Sequence, residues 1–448
     1  MAATPPRART RRLPPEERRR ELLDAALDVI TDDGFDAVSV EAVARRAGVT
    51  RPVIYDLFGD LDGLLVALLD REEEAALGPL LAIVGGDPGD DVEPEQFLVD
   101  GVAAFLEAVR ANPRTWRLVL MPPRGSSPGL RERIARTRRL IAARITALLD
   151  WGVARRGGPL GLDHELFARL IVAAGEDAAR LMLLHPRRYP PARLASIARD
   201  GLALVPAGSP RGTPPPPALV ALAAAPAPAL ADGRPGETAP DAVAAAASAG
   251  AGRMPRAQRR EQLLDVTLAL LAEEGFDALN MEAVARRAGV NRAIVYRSFA
   301  NVNLLLLALL RREEIRTRET LDALLPDDPA GHTAPELLAL TLARFLTAVT
   351  QAPLTYRVVL QRPESAPLVV QKLVSRRRAV LAERLEPLVQ WGLAGISAET
   401  AGIDVDIVAR MLLSVGEELA RLTLDDAAYP PERIAASAWA LLDVVPLG

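Results

Sequence analysis

The stretch GFDAVSVEAVARRAGVTRPVIYDLF, from Gly34 to Phe58, returns 241 positions later as GFDALNMEAVARRAGVNRAIVYRSF, from Gly275 to Phe299. Its first part is almost unchanged. Thirteen of sixteen residues agree between Gly34–Val49 and Gly275–Val290. In the remainder only three of nine agree, Arg51, Tyr55 and Phe58 answering Arg292, Tyr296 and Phe299. A framework is kept while the residues after it drift.

The spacing inside this stretch is helical. Before it, Leu22, Leu23, Ala26, Leu27 and Ile30 form one apolar stripe, and Leu263, Leu264, Leu268 and Leu271 repeat it. Gly34 and Gly275 suit a left-handed helix end, with the following Phe35 and Phe276 folding back onto the stripe. Ser39 and Asn280 are N-caps for a second helix, whose first turn holds Glu41 or Glu282. Alanines let that helix pack closely. Gly48 turns the chain sharply. Thr50 and Asn291 then cap a third short helix, RPVIYDLF or RAIVYRSF, with Pro52 tolerated in its first turn. A small helix, a glycine turn and a capped short helix outline a helix-turn-helix.

The repeat extends beyond this stretch. Arg18–Glu73 aligns with Arg259–Glu314 without a gap. ANPRTWRLVL from Ala111 answers QAPLTYRVVL from Gln351, and RYPPARL from Arg188 answers AYPPERI from Ala428. Two related units of about two hundred residues therefore stand in tandem. Between them, Pro206–Gly252 holds ten prolines and few charges. It reads as a disordered or partly extended linker, with room for a short helix around Ala218–Ala225. As a flexible coil it would reach roughly 38 Å, enough to let the units dock side by side.

Composition narrows the class. A chain of 448 residues exceeds one ordinary core. Half of it is hydrophobic, a quarter is charged, and aromatics are few, which favours helices. Without cysteine there are no disulfides and no thiolate metal sites. The three histidines, His164, His185 and His332, lack metal-ligand spacing. No apolar run is long enough to span a bilayer, so a cytoplasmic protein is expected. The net charge of −4 argues against a uniformly basic coat but leaves local basic patches open. Neither a nucleophile motif nor a phosphate loop is present, so the expectation is no enzyme, no cofactor and no metal.

The ordered set of marks resembles the DNA-binding head of the TetR family of bacterial repressors. These marks are the Gly-Phe after the first helix, the A-x-x-A-G-V turn and the Y-x-x-F closing the third helix, and they occur twice. The resemblance implies an all-α protein of two TetR-like units. Each would have a three-helix helix-turn-helix head and a helical effector and dimerisation domain, and the two would form an intramolecular pseudo-dimer. The expected order is a basic arm (1–15), a first head (16–60), a first regulatory domain (61–205), the linker (206–252), a second head (253–301) and a second regulatory domain (302–448). The last two helices of each unit would build a four-helix interface within one chain. One departure stands out. Family heads carry a lysine just after the Y-x-x-F that meets a DNA phosphate, and here those positions are Leu61 and Val302.

Double-stranded DNA is the implied partner. Arg51 and Arg292, in the first turn of the third helices, suit bidentate contact to guanine or a phosphate. Thr50, Pro52, Asn291, Ala293 and Arg297 share that helix end or its exposed face. Tyr55 and Tyr296 match the family's phosphate-contacting position. Arg45, Arg46, Arg286 and Arg287 suit phosphate contact or plain solvated charge equally. Ser39 and Asn280 complete the candidate surface. The leader from Arg7 to Arg12 reads as a mobile arm or a frayed basic terminus. Phe105, Trp116, Met121, Trp151 and Phe167, with Phe345, Tyr356, Gln361, Trp391 and Met411, are candidates to line an effector pocket for an apolar small molecule, or simply to fill the core. The main expectation is a ligand-responsive repressor reading an asymmetric operator with two unlike heads. It would work as a monomeric pseudo-dimer, a homodimer of chains being the other assembly. The rival reading is a helical sensor or scaffold whose heads have lost DNA binding.

Overall fold

The computed structural model describes residues 13–33, 37–85, 89, 91–121, 128–205, 207–208, 213–224, 254–322, 324, 333–360, 368–394 and 402–443. Gly34, Phe35, Gln361, His332 and the arginine-rich leader lie outside them. Within them every long element is a helix.

The apolar stripe of the first helix, α1 (Pro15–Asp33), buries Leu22, Leu23 and Ala26. It packs on α2 (Val40–Ala47), α3 (Arg51–Phe58) and the start of α4 (Leu61–Val84). Leu22, Val43, Ile54, Leu64 and Leu68 are the centre of this small core. The body of the first unit follows: α5 (Pro94–Ala111), α6 (Pro113–Leu120), α7 (Pro128–Arg156), α8 (His164–Leu184) and α9 (Pro191–Ala203). The second unit repeats the order. Its head is α11 (Arg256–Glu274), α12 (Met281–Arg287) and α13 (Arg292–Ser298). Its body is α14 (Val302–Asp322), α15 (Ala334–Gln351), α16 (Pro353–Val359), α17 (Leu368–Leu393), α18 (Val405–Asp425) and α19 (Pro431–Leu442). Prolines, caps and glycines mark many of the helix ends, as Ser39 and Gly48 do for α2 and Pro191 for the start of α9.

Side-chain bonds repeat along with the helices. Arg19 donates to the Leu57 carbonyl at 3.0 Å and lies over the Phe58 ring; Arg260 does the same with Ser298 (3.1 Å) and Phe299. Thr115 of α6 donates to the buried Glu72 at 2.5 Å, and Thr355 of α16 donates to the buried Glu313 at 2.6 Å. Beside these carboxylates, Arg71 pairs with Asp24 (2.6 Å) and Arg312 with Asp265 (2.7 Å). The fourth helix of each unit thus ties the head's first helix to the body's sixth. Buried polar groups are stable only when paired, so this polar seam sets a defined register.

The two units complete each other's cores. α8 packs along α18. Ile407 and Met411 of α18 enter the first unit's cluster with Ala179, Met182 and Tyr189. Their counterparts Leu166 and Leu170 of α8 enter the second unit's cluster with Leu419, Leu422 and Tyr429. Such reciprocity is the signature of a two-fold interface. Charge follows the same rule. Arg193 grips Asp404, the cap of α18, at 2.6 and 3.0 Å. Arg433 grips Asp163, the cap of α8, at 2.7 and 3.1 Å. Across the middle, Arg378 of α17 pairs with the buried Asp177 of α8 and with Glu417 at 3.1 Å.

The short helix for which the sequence left room is present, and most of the linker lies outside the described residues. Its described part contains α10 (Pro217–Ala224), and this helix lies on α15 and α19 of the second unit. Leu219 is buried with Ala339, Ala343, Ala435 and Trp439. Thr213 donates to Asp443 through its amide (2.6 Å) and its hydroxyl (3.0 Å), and accepts from the Trp439 indole at 3.0 Å. The proline density suggested coil because four prolines, Pro214 to Pro217, run into the helix. They also supply its first position, where proline is favoured, and Ala-Leu-Val-Ala-Leu then offers an apolar face.

Candidate nucleic-acid interface

Each head presents its third helix on the surface. α2 begins where the Ser39 hydroxyl accepts the Ala42 N–H at 3.1 Å, and α12 begins where Asn280 accepts from Glu282 and Ala283. The turn after α2 needs a left-handed residue. Gly48 has φ 66° and Gly289 φ 64°, a conformation that costs other residues energy. Gly275 also has positive φ, 80°, but its ψ of −177° makes it an extended bend rather than a left-handed helix end. Phe276 packs against the second head's core as expected.

The expected cap at Thr50 is not formed; Asn291 caps its helix as expected, accepting the Ala293 N–H at 2.9 Å. The neighbour explains the difference. An N-cap takes its bond from the second or third helical residue. The second residue is Ala293 in one head and Pro52, which has no N–H, in the other, where the third residue's N–H, on Val53, goes to the Thr50 carbonyl at 3.1 Å.

On the helix faces, Arg51, Pro52 and Tyr55 are exposed, as are Asn291, Arg292, Ala293, Tyr296 and Arg297. Ile54 and Val295 turn inward and are fully buried. The arginines differ in their partners. Arg51 is paired with Glu41 at 2.8 Å. Arg292 instead receives no such clamp: its guanidinium donates to the Tyr296 hydroxyl at 3.0 Å and lies over that ring. Arg46 is tied to Asp32 and Asp33 at the end of α1, and Arg287 to Glu273 and Glu274 at the end of α11. These two hold the helices of each head together. Arg45 and Arg286 are exposed.

The aromatic and sulfur candidates in the bodies do not converge on one cavity. Phe105 meets Trp116 edge-on at 5.4 Å, and Met121 and Met411 pack in the same cluster. Met411 therefore belongs to the seam between units. Phe345 and Tyr356 form the matching pair at 5.9 Å. Trp151 sits apart, edge-on to Phe97 at 5.8 Å, where an open groove of about 510 Å³ runs along Gln96, Phe97, Asp100 and Ala104 of α5. Phe167 is half-buried, and Trp391 is exposed. Tyr356 is buried, and burial pushes its hydroxyl up to about 12. No single helix among the described residues is long and apolar enough to cross a membrane.

Two helix-turn-helix heads, each carried on a helical body, with the bodies paired through a two-fold seam, define a regulator of the dimeric helix-turn-helix class folded from one chain. Comparison with known proteins agrees. The model of bacterial regulatory proteins of the tetR family matches twice, at 22–68 and 263–309. The tetracyclin repressor-like C-terminal domain matches 94–203. The HTH-type transcriptional activator FasR of Mycolicibacterium smegmatis is 29% identical over 179 residues, covering 40% of this chain and 78% of FasR. The HTH-type transcriptional repressor KstR of Rhodococcus jostii is 37% identical over 99 residues, covering 22% of this chain and 43% of KstR. Among solved structures, a TetR-like transcriptional regulator from Rhodococcus sp. RHA1 aligns with 43% of this chain and 99% of its own, at 28% identity and a TM-score of 0.35. The chain belongs to the TetR family: it is a DNA-binding transcriptional regulator, not an enzyme, with two tandem units.

Proposed function

We propose that this regulator reads an asymmetric operator as a single chain, the first head on one half-site and the second on an unlike one. The observation that carries the reading is the reciprocal seam between units, Arg193–Asp404 against Arg433–Asp163, combined with third helices that agree at only three of nine positions. A two-fold body places two heads as a dimer would. Unlike heads need unlike half-sites. Fusion in one chain enforces their pairing through high effective concentration.

An apolar small molecule bound in one or both bodies would favour a state with differently spaced heads and release the operator, acting by its differential affinity for the two states. The polar seam through Glu72 and Thr115, or Glu313 and Thr355, supports this reading because it links body to head. The names of the relatives divide on sign, FasR being an activator and KstR a repressor. Repression with ligand-induced release is the reading offered here.

Selection of bound genomic fragments with the purified chain tests the proposal. The enriched site should be non-palindromic. Arg51→Ala should then weaken one half-site and Arg292→Ala the other, each by about 1–3 kcal/mol if the contact is bidentate to guanine. Preference for a perfect palindrome would refute it. Light scattering should give one chain, near 48 kDa, as the binding species.

A further inference from the structure

The two heads are not electrostatic equals. From Thr50 to Asp62 the first head carries Arg51 against three aspartates, Asp56, Asp60 and Asp62. The matching span of the second, Asn291 to Asn303, carries Arg292 and Arg297 and no acid. All these charged groups are exposed. Arg51 is held in a close ion pair by Glu41 at 2.8 Å, whereas Arg292 is directed along its own helix onto Tyr296 and feels the matching Glu282 only at longer range.

The difference is greatest where the next helix begins. A helix N-terminus attracts phosphate through its free N–H groups and its dipole. At the start of α4 the Asp60 carboxylate takes the Gly63 N–H at 2.7 Å, and Asp62 adds a second negative charge in the same turn. At the start of α14 the neutral Asn301 takes the Leu304 N–H at 2.9 Å, with neutral Asn303 beside it. Both residues cap equally well, so cap stability does not account for the choice. The consequence falls on what approaches from outside. A phosphate meets two carboxylates on the first head and none on the second.

Resting on the DNA-binding reading, we infer that the second head is the anchor that holds DNA and the first a low-affinity reader, with Asp56, Asp60 and Asp62 setting its weakness. Binding to DNA then starts at the second head, and its salt dependence arises mainly there. The first head is engaged because the seam between bodies presents it, not through its own attraction to the backbone.

Two charge-swapped full-length variants test this on a 30-bp mixed-sequence duplex and on genomic fragments, with binding measured across a salt series. Arg297→Asp with Asn301→Asp and Asn303→Asp gives the second head the first head's acids. It should lower affinity at least about a hundredfold and flatten the salt slope by about 2–3. Asp56→Arg with Asp60→Asn and Asp62→Asn does the reverse on the first head. It should tighten binding at least about tenfold and steepen the slope by a similar amount. All changed residues are exposed and the caps are retained, so helix content by circular dichroism should not change. If wild type shows no salt-dependent binding to either DNA, the DNA-binding reading itself falls. If wild type binds but the first-head variant leaves affinity and slope unchanged, or both heads respond equally to acid, the inference falls and that reading stands.

Discussion

Arg433 holds Asp163 through two nitrogens, at 2.7 and 3.1 Å, although 270 residues of chain separate them. Arg193 and Asp404 repeat the grip from the opposite side. Each aspartate also caps the eighth helix of its own unit, so one carboxylate serves helix and interface together. Each arginine is also bonded to a carbonyl of its own Y-P-P loop, which fixes the fork before it meets its partner.

Loss of either arginine should therefore loosen the seam. Arg193→Ala and Arg433→Ala should each cost about 1–2 kcal/mol, since the pairs are partly exposed and screened. Urea unfolding midpoints measure this. Two equal losses are expected from two equivalent contacts, and a markedly one-sided result would contradict the two-fold description.

Asp177 lies deeper. It is buried between Arg180 at 2.9 Å and Arg378 of the other unit, and its carboxyl accepts further from Ser414. Asp177→Ala leaves Arg180 with Glu176 and Arg378 with Glu417 but removes the buried carboxylate they share, and should cost about 3 kcal/mol. Asp177→Asn should recover part of that by keeping hydrogen bonds. Thermal melts of the three proteins decide the order.

The same seam predicts acid sensitivity. Burial would raise the Asp177, Asp163 and Asp406 carboxyls, but Arg378 and Arg180, Arg433, and Arg410 respectively outweigh it and hold them below the ordinary range. Carboxyls depressed on folding stabilise the protein above their unfolded value, about 3.9, and lose that contribution as pH falls through the folded value. Stability should be flat near neutrality and fall steeply below about pH 4. On the alkaline side burial pushes Tyr429 up to about 12, so its contribution is complete below about pH 10 and fades towards 12. Urea midpoints across pH 3–8 check the acid limb. In the Arg433→Ala variant that limb should shrink.

The caps of the third helices give a finer contrast. Asn291→Ala removes a formed cap bond and should cost about 1 kcal/mol. Thr50→Ala removes no side-chain bond and should cost a few tenths at most. Denaturant titration of the full chain reads both.

In the linker, Leu219→Ala should cost about 2 kcal/mol by opening a cavity against Ala343 and Trp439. The quenched or shifted emission of Trp439 on substitution provides a direct optical check.

Much of this was legible in the residues. Prolines and caps marked the helices because their effects are local. The small-residue turn and the Tyr-x-x-Phe spacing located both heads. What was not legible depended on distant partners. Nothing near Arg193 announces Asp404, and nothing near Met411 says that it packs beside Phe105's unit rather than its own. Trp391 looked like a pocket residue by type, yet its helix face points outward. Thr50 failed as a cap because of Pro52, a local cause that could have been seen by asking which N–H would be the donor. The α10 helix was outweighed by the prolines around it.

Docked α10 also moves the border between the halves. By packing, the first polypeptide half ends after Ala224, with a helix whose apolar side belongs to its sister's framework. Expressed as separate pieces divided between 225 and 253, the amino-terminal piece would carry its own latch, while the carboxyl-terminal piece alone would leave Ala339, Ala343 and Trp439 uncovered. Reassembly of such pieces would draw on these eight residues, which read letter by letter as spacer, in addition to the seam between α8 and α18.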